Sequence, residues 1–392
     1  MSDPLKGLIE ILTTQTAILQ AAYAKTGAEV PSVDSPFQFS PLELDPSLKE
    51  ARDLVVAAAT QLIATAQSPM DVLFSKMTGL YDTVTLGFVI DVNIPEILKE
   101  AGEQGTHVKE ISAKTGVDSS YIARVLRYLA ARHIFSELTP DVFAHNRLSS
   151  LLTKTKSLKE IQEDPIARFD DAPLAAFLHL SSDEYITSSA FFSSFIKNPE
   201  QAAAPFNIAY KTPKKMWEWY KEPGNEYRSR RFNDGIKNAT DAMFPPQIFI
   251  SGINGDALKP EDVVVDVGGN AGSETFPKLR YVVQDLEQPI AAGEKLWNEK
   301  NPEALKSGKV QLQVHDFFSP QPVKNAAVYF LRLICHDWPD KDARKILANL
   351  RAAAGAQSKL VVFDGLVKHV TKDPGSGTSA PYPLLPNWGE DL

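Results

Sequence analysis

The chain has 392 residues, 43% hydrophobic and 23% charged, with a formal net charge of −8; there is room for two globular domains, and such acidity argues against a dedicated nucleic-acid binder, which would carry a basic face. A single cysteine, Cys335, excludes an intramolecular disulfide and a cysteine-rich metal site, and the seven histidines show no HxH or HExxH spacing, so no metal is expected. The N-terminus does not read as a secretory signal and no stretch approaches the roughly 18 apolar residues of a membrane span, so a soluble cytoplasmic protein without membrane contact is expected.

Leu5, Leu8, Ile9, Leu12, Ile18 and Leu19 recur at helical spacing, and a Pro-, Ser- and Asp-rich loop follows from Pro31 to Pro46. Leu54, Val55, Ala58, Leu62 and Ile63 predict a second amphipathic helix, and Asp82 to Ala101 a further one ending near Gly102. Val108 to Lys114 reads as a short helix and Gly116 to Asp118 as a turn. Asp118 or Ser119 can cap a helix from Tyr121 to Ala131 that turns Ile122, Val125, Leu126 and Leu129 inward. Extended pieces at Ile134–Leu138 and Val142–Ala144 complete a helix-turn-helix with a wing. From Asp170 to Gly252 the chain is helical and rich in aromatics, among them Phe191, Phe195, Trp217, Trp219, Tyr220 and Phe232. Most of these are expected to pack a helical core, and a few to line an apolar pocket.

From Asp262 the pattern changes. Strands are expected at Val263–Val267, Arg280–Gln284, Val310–Val314, Ala327–Leu331 and Leu360–Phe363, with helices around Ile290–Asn298 and Lys341–Ala354. Apolar β-branched runs alternating with helices predict an α/β fold, an open parallel sheet covered on both faces. Ligands bind such sheets beyond the carboxyl ends of the strands. The first strand ends in Asp266-Val-Gly268-Gly269, where glycines let a ligand approach the backbone. The second ends in Asp285, placed where a carboxylate would hold a ribose diol. The third ends in Asp316-Phe317, an acid and a ring suited to an adenine amine and its face, and the fourth runs into Arg332-Leu-Ile-Cys-His336-Asp337-Trp338. A core or cap role would explain any one of these. Four at one sheet edge point to a nucleotide-like ligand.

The order VVDVGG, VVQDL, HDFF, LRLICHDWPD and KLVVFDGL resembles the S-adenosylmethionine-dependent O-methyltransferases of caffeate, flavonoid and fungal secondary-metabolite biosynthesis. Leu129–Phe135, Phe143–Arg147, Arg230–Phe232 and Pro383–Trp388 are similar to that family too, so the resemblance spans nearly the whole chain. It implies a Rossmann-like class I methyltransferase domain over residues 256–392. A helical, winged-helix dimerisation domain would occupy 1–150, and a helical linker and substrate region 151–255. It further implies that S-adenosylmethionine is the cofactor, with Asp266, Gly268 and Gly269 around its methionine moiety, Asp285 at the ribose, Asp316 and Phe317 at the adenine, and Arg332 nearby. His336 would be the general base, a task that a side chain of ordinary pKa about 6.5 suits near neutrality, with Asp364 orienting it. A helix N-cap or strand-end role is the alternative reading of Asp364. The partners implied are a phenolic or enolic small-molecule acceptor and a second copy in a homodimer.

Two departures stand against that pattern. Gly268 to Leu279 leave twelve residues between the first two strands, and Pro277 limits the far end. Gly272 to Phe276 then have room for hardly one helical turn, where the family has a full helix whose N-terminus favours the cofactor's carboxylate. Weakened cofactor binding is expected. After Asp364 the chain ends at Leu392, without the family's last strands, so the strand at 360–363 is expected to be an exposed edge. Both interruptions fall inside contiguous motifs, the pattern that a misplaced splice junction leaves. Other readings are a non-methylating relative that uses His133 and His336 for pericyclic chemistry, a catalytically dead dimer partner, and a winged-helix DNA-binding regulator using Lys109, Lys114, Arg124, Arg127 and Arg132.

Overall fold

The computed structural model describes residues 4–243, 257–269 and 278–365, which divide into two compact units between positions 243 and 257. In the first, α1 (Pro4–Thr26) packs on α2 (Lys49–Ala66), burying Leu8, Leu54, Ala57 and Ala58. Next come α3 (Pro69–Thr78), α4 (Leu80–Asp91) and α5 (Ile94–Ala101). The single helix expected over Asp82–Ala101 is thus two. Asn93 is left-handed at φ 61° and Pro95 lies in the first turn of α5, where its missing N–H costs nothing but the preceding backbone cannot continue a helix. The break is held by Lys154, fully buried, whose Nζ donates to the Ile90 carbonyl at 2.9 Å, to Asn93 Oδ1 at 3.1 Å and to the buried Glu96 Oε2 at 3.1 Å. A lysine from a distant loop thus satisfies carbonyl oxygen at the end of α4.

The winged helix-turn-helix forms as expected. Strand β1 (Thr106–His107), α6 (Val108–Thr115), α7 (Ser119–Ala130), β2 (Ser136–Thr139) and β3 (Val142–Ala144) build it, with an antiparallel sheet in the order β1-β3-β2. Asp118 caps α7, accepting from Ser120 N–H at 2.8 Å, and Ile122, Leu126 and Leu129 enter one core with Ile97, Phe135 and Phe143. Lys114 pairs with Glu100, Arg127 with Glu137 and Asp141, and Arg132 with Asp82. Much of the positive charge of this segment is therefore neutralised within its own unit.

The second half of this unit is helical as far as it is described. The helix α8 (Pro173–Leu180) runs into one π-helical turn, Ser181–Tyr185, and packs against α9 (Glu226–Met243). Arg231 of α9 is wholly buried, bonded to His179, Asp183 and Glu184. Phe206, Tyr210, Trp219, Tyr220 and Phe232 pack on one another with ring centroids about 5 Å apart. Phe206 and Tyr220 of this group are buried.

The second unit is the parallel sheet. Strands β4 (Val263–Val267), β5 (Arg280–Asp285), β6 (Val310–Val314), β7 (Val328–Arg332) and β8 (Lys359–Phe363) lie in the order β6-β5-β4-β7-β8. Helices α10 (Glu287–Lys300) and α11 (Asp340–Ala353) belong to its two apolar layers. Val264, Tyr281 and Val283 pack with Trp297 of α10, whereas Val265, Val267 and Leu331 pack with Ile346 and Leu350 of α11. Strand order reverses between β4 and β7, which puts the switch point at the ends carrying Asp266 and Arg332. Among the described residues β8 is an edge, with Leu360 and Val362 48% and 45% exposed. Residues 270–277 and 366–392, on which both departures and the Pro383–Trp388 resemblance fall, lie outside the described residues.

Candidate active site

The parallel strands deliver polar residues to one edge. At the end of β4, Gly268 takes φ +73°, a left-handed turn that a side chain would strain. A Cβ there would lie 2.6 Å from Ile334 Cδ1 and 3.6 Å from Phe317 Cε1. The glycine turn, the loop after β6 and the loop after β7 thus meet at this point. A Cβ on Gly269 would lie 2.5 Å from the Asp266 carboxyl carbon, so that carboxylate lies over the glycine backbone. Loss of hydration pushes the Asp266 carboxyl up to about 6; Arg332 partly counters this and Asp285 adds to it. Asp266, Asp285 and Arg332 therefore share one electrostatic environment.

Asp285 is half-buried and accepts from the next backbone N–H, that of Leu286, at 2.7 Å. Asp316 is exposed and accepts from Phe318 N–H at 2.9 Å, which turns the loop so that Phe317 packs edge-on against Phe318 and Trp338. Asn349 of α11 fixes the Phe317 carbonyl with a 3.0 Å hydrogen bond.

Beyond β7 the chain makes a left-handed turn at Leu333, whose N–H donates to Phe363 O at 2.8 Å. A short 3-10 turn, Cys335–Asp337, follows. Asp364, at the end of β8, receives this turn. Its Oδ2 accepts from the Cys335 and His336 N–H groups at 2.9 and 3.3 Å, and its Oδ1 lies 2.7 Å from His336 Nδ1. Asp364 can only accept when ionised, so the proton of a neutral His336 sits on Nδ1 and the Nε2 lone pair is left for another partner. Nε2 lies 3.5 Å from Asp337 Oδ1, and the imidazole is one-third exposed. One carboxylate oxygen of Asp364 thus meets the backbone of the turn and the other meets the His336 ring. The pair can accept a proton at Nε2 and spread the resulting charge.

The structure gathers Asp266, Gly268, Gly269, Asp285, Phe317 and Arg332 around the ends of β4, β5 and β7 and the loop after β6, with His336 two residues beyond Ile334. The sequence reading did not single out Gln284, Gln313 and Gln321, which lie beneath this edge. Gln284 had a visible signal: a polar side chain inside an otherwise apolar strand. Among the described residues no group of three or more His, Cys, Asp or Glu side chains could hold a metal ion, and no helix is long and apolar enough to cross a membrane.

Residues 195–380 match the O-methyltransferase domain, and residues 74–155 the O-methyltransferase dimerisation domain. An O-methyltransferase of Armillaria gallica is 35% identical, the match taking in 99% of this chain and 87% of that protein. The 4-O-methyltransferase 1 of Phanerochaete chrysosporium is 34% identical over the same shares. The first match runs over 414 positions, more than the 392 residues of this chain; the relative therefore has residues within the matched region that this chain lacks. In fold, the mitomycin 7-O-methyltransferase MmcR is similar with a TM-score of 0.58 at 21% identity, over 77% of this chain and 81% of its own. Taken with the strand-end residues and the His336–Asp364 pair, these matches show that the chain belongs to the O-methyltransferase family and carries that family's dimerisation domain.

Proposed function

We propose that the protein uses S-adenosylmethionine to methylate a hydroxyl of a small aromatic or polyketide-like secondary metabolite, and that it works as a homodimer. The observation that carries this reading is the 2.7 Å pairing of His336 Nδ1 with Asp364, which leaves Nε2 as the base. In that role Nε2 takes the acceptor's hydroxyl proton while Asp364 holds the ring and stabilises the imidazolium. The residues at the sheet edge fit the cofactor. The Asp266 carboxylate, short of hydration, is stabilised beside a cationic amine. Asp285 suits a vicinal diol, and Asp316 with Phe317 suits an aminated flat ring. When bound, the cofactor supplies a methyl group already activated by a sulfonium, so what the protein adds is chiefly alignment and a base.

The homodimer is supported by α3. Met70, Leu73, Phe74 and Met77 form one stripe at helical spacing and are each more than half exposed; the stripe leads into the segment matching the dimerisation domain. A second copy covering this stripe would remove it from water. Leu73→Asp with Met77→Asp should convert a dimer to a monomer in sedimentation velocity, and an unchanged mass would remove α3 from the interface.

The central test is His336→Ala. Methyl transfer to a panel of phenols, read as one added methyl by mass, should fall about 10²- to 10⁴-fold, with calorimetric affinity for S-adenosylmethionine retained. Undiminished turnover sinks the assignment of His336. A folded wild-type dimer that binds no S-adenosylmethionine sinks the whole reading, in favour of a partner subunit without transfer.

A further inference from the structure

Beneath the strand ends lies a set of buried amides that the proposed chemistry does not use. Gln284 of β5 and Gln321 of the loop after β6 are each 1% exposed. Gln321 Nε2 donates to Gln284 Oε1 at 2.7 Å, and Gln284 Nε2 donates back to Gln321 Oε1 at 2.8 Å and to Gln313 Oε1 of β6 at 2.7 Å. The orientation of both amides is determined, because Val323 N–H donates to Gln321 Oε1 at 3.1 Å and an oxygen must face it. Gln321 stands between Pro320 and Pro322, whose rings limit the backbone on either side, so little freedom is lost in presenting it.

The main chain of β5 at Gln284 and Asp285 ties in the rest of the edge. Gln284 O accepts from Gly268 N–H at 2.8 Å and from Gly269 N–H at 3.1 Å, and Asp285 O accepts from His315 N–H at 2.8 Å. One residue therefore fastens the glycine turn through its carbonyl and, through its side chain, the loop that begins with Asp316 and Phe317. Asp285 is its neighbour in sequence.

We infer that the reciprocal Gln284–Gln321 amide pair is a positioning device that locks the loop after β6 against β5 and so sets affinity for the nucleoside part of the cofactor, without taking part in proton transfer. This rests on the reading of the sheet edge as an S-adenosylmethionine site. A buried amide left half-satisfied pulls toward water or a new partner, whereas a fully satisfied pair holds one geometry. Both residues are positioning residues and act through Gly268, Gly269, Asp316 and Phe317.

The test uses the full chain with Gln321→Met, which keeps the volume and removes the bonds. Should that variant not fold, Gln284→Met/Gln321→Met removes both amides of the pair, leaving only the part-exposed Gln313 side chain and Val323 N–H to turn to water. Calorimetric Kd for S-adenosylmethionine should rise on the order of tenfold in either variant, as expected when a supporting shell is loosened. The kcat at saturating cofactor should stay within about threefold, and its pH profile should keep its shape. Amide exchange over 315–323 should quicken in the variant without cofactor. A folded variant that binds with the wild-type Kd, or one in which kcat falls with melting temperature while Kd stays fixed, overturns the inference. Failure of the wild-type protein itself to bind overturns the site reading and this inference with it. Normal wild-type binding with normal variant binding overturns the inference alone.

Discussion

The two units use buried charge in opposite ways. In the helical unit, Lys154 meets Glu96 and the Ile90 carbonyl, and Arg231 meets His179, Glu184 and Asp183, so each cation is paired with a carboxylate of the same unit. In the sheet unit, Asp266, Asp285 and Asp316 come to neighbouring strand ends, and Asp266 stays at about 6 even with Arg332 close by. Paired buried charges fix the geometry of a scaffold. A carboxyl kept short of hydration is one that a cationic ligand can repay. Perturbation with an incomplete answer is what marks a site.

The sharpest way to break this comparison is to remove an internal answer. Glu96→Ala leaves Lys154 buried with only neutral oxygens around it, and should cost about 3 kcal/mol or more in denaturant unfolding. Replacing both partners, Lys154→Met with Glu96→Met, should recover most of that loss. A single variant as stable as wild type would mean that the pair is not what holds the break between α4 and α5.

That break shows where sequence reading stops. Asn93-Ile-Pro95 was there as a helix-ending signal, yet apolar periodicity on both sides hid it, and the lysine that answers it lies some 60 positions away. The strands were legible because runs such as Val263–Val267 admit few other readings, and the edge residues because an acid or glycine closes each run. The His336–Asp364 contact came from resemblance. Only the left-handed turn at Leu333 and the register of β7 with β8 bring the two within 2.7 Å. Gln321, in a Pro-flanked loop, gave no sign of its partner, because a hydrogen bond across 37 positions is set by the fold and not by any local pattern.

The second effect in size concerns the sheet unit's own pair. Asp364→Asn can present its amide N–H₂ to His336 and turn the ring to the tautomer that protonates Nε2, taking away the lone pair needed there. Transfer should fall on the order of 10²-fold with cofactor affinity unchanged. If both fell together, Asp364 would matter through its caps on Cys335 and His336 and not through the tautomer.

The smallest effect is the most diagnostic, since it should run in opposite directions for stability and binding. Asp266 has its folded pKa raised from 3.8 to about 6, so between those values the folded state holds more protons than the unfolded chain. Stability contributed at this position is therefore highest in acid, declines as pH rises from about 4 to 6, and stays low above that. Asp266→Asn removes the charge that the fold resists, and should raise stability by about 1–3 kcal/mol at pH 7.5 and by little at pH 4. The same variant should bind S-adenosylmethionine far more weakly, and wild-type affinity should drop as pH falls through 6, because the carboxylate that answers a cation is then protonated. Paired melting and calorimetric titrations across pH 4.5–8 check both slopes. A variant that loses stability at pH 7.5 would show that Asp266 already has its answer within the fold, as Lys154 does, and the contrast between the two units would be lost.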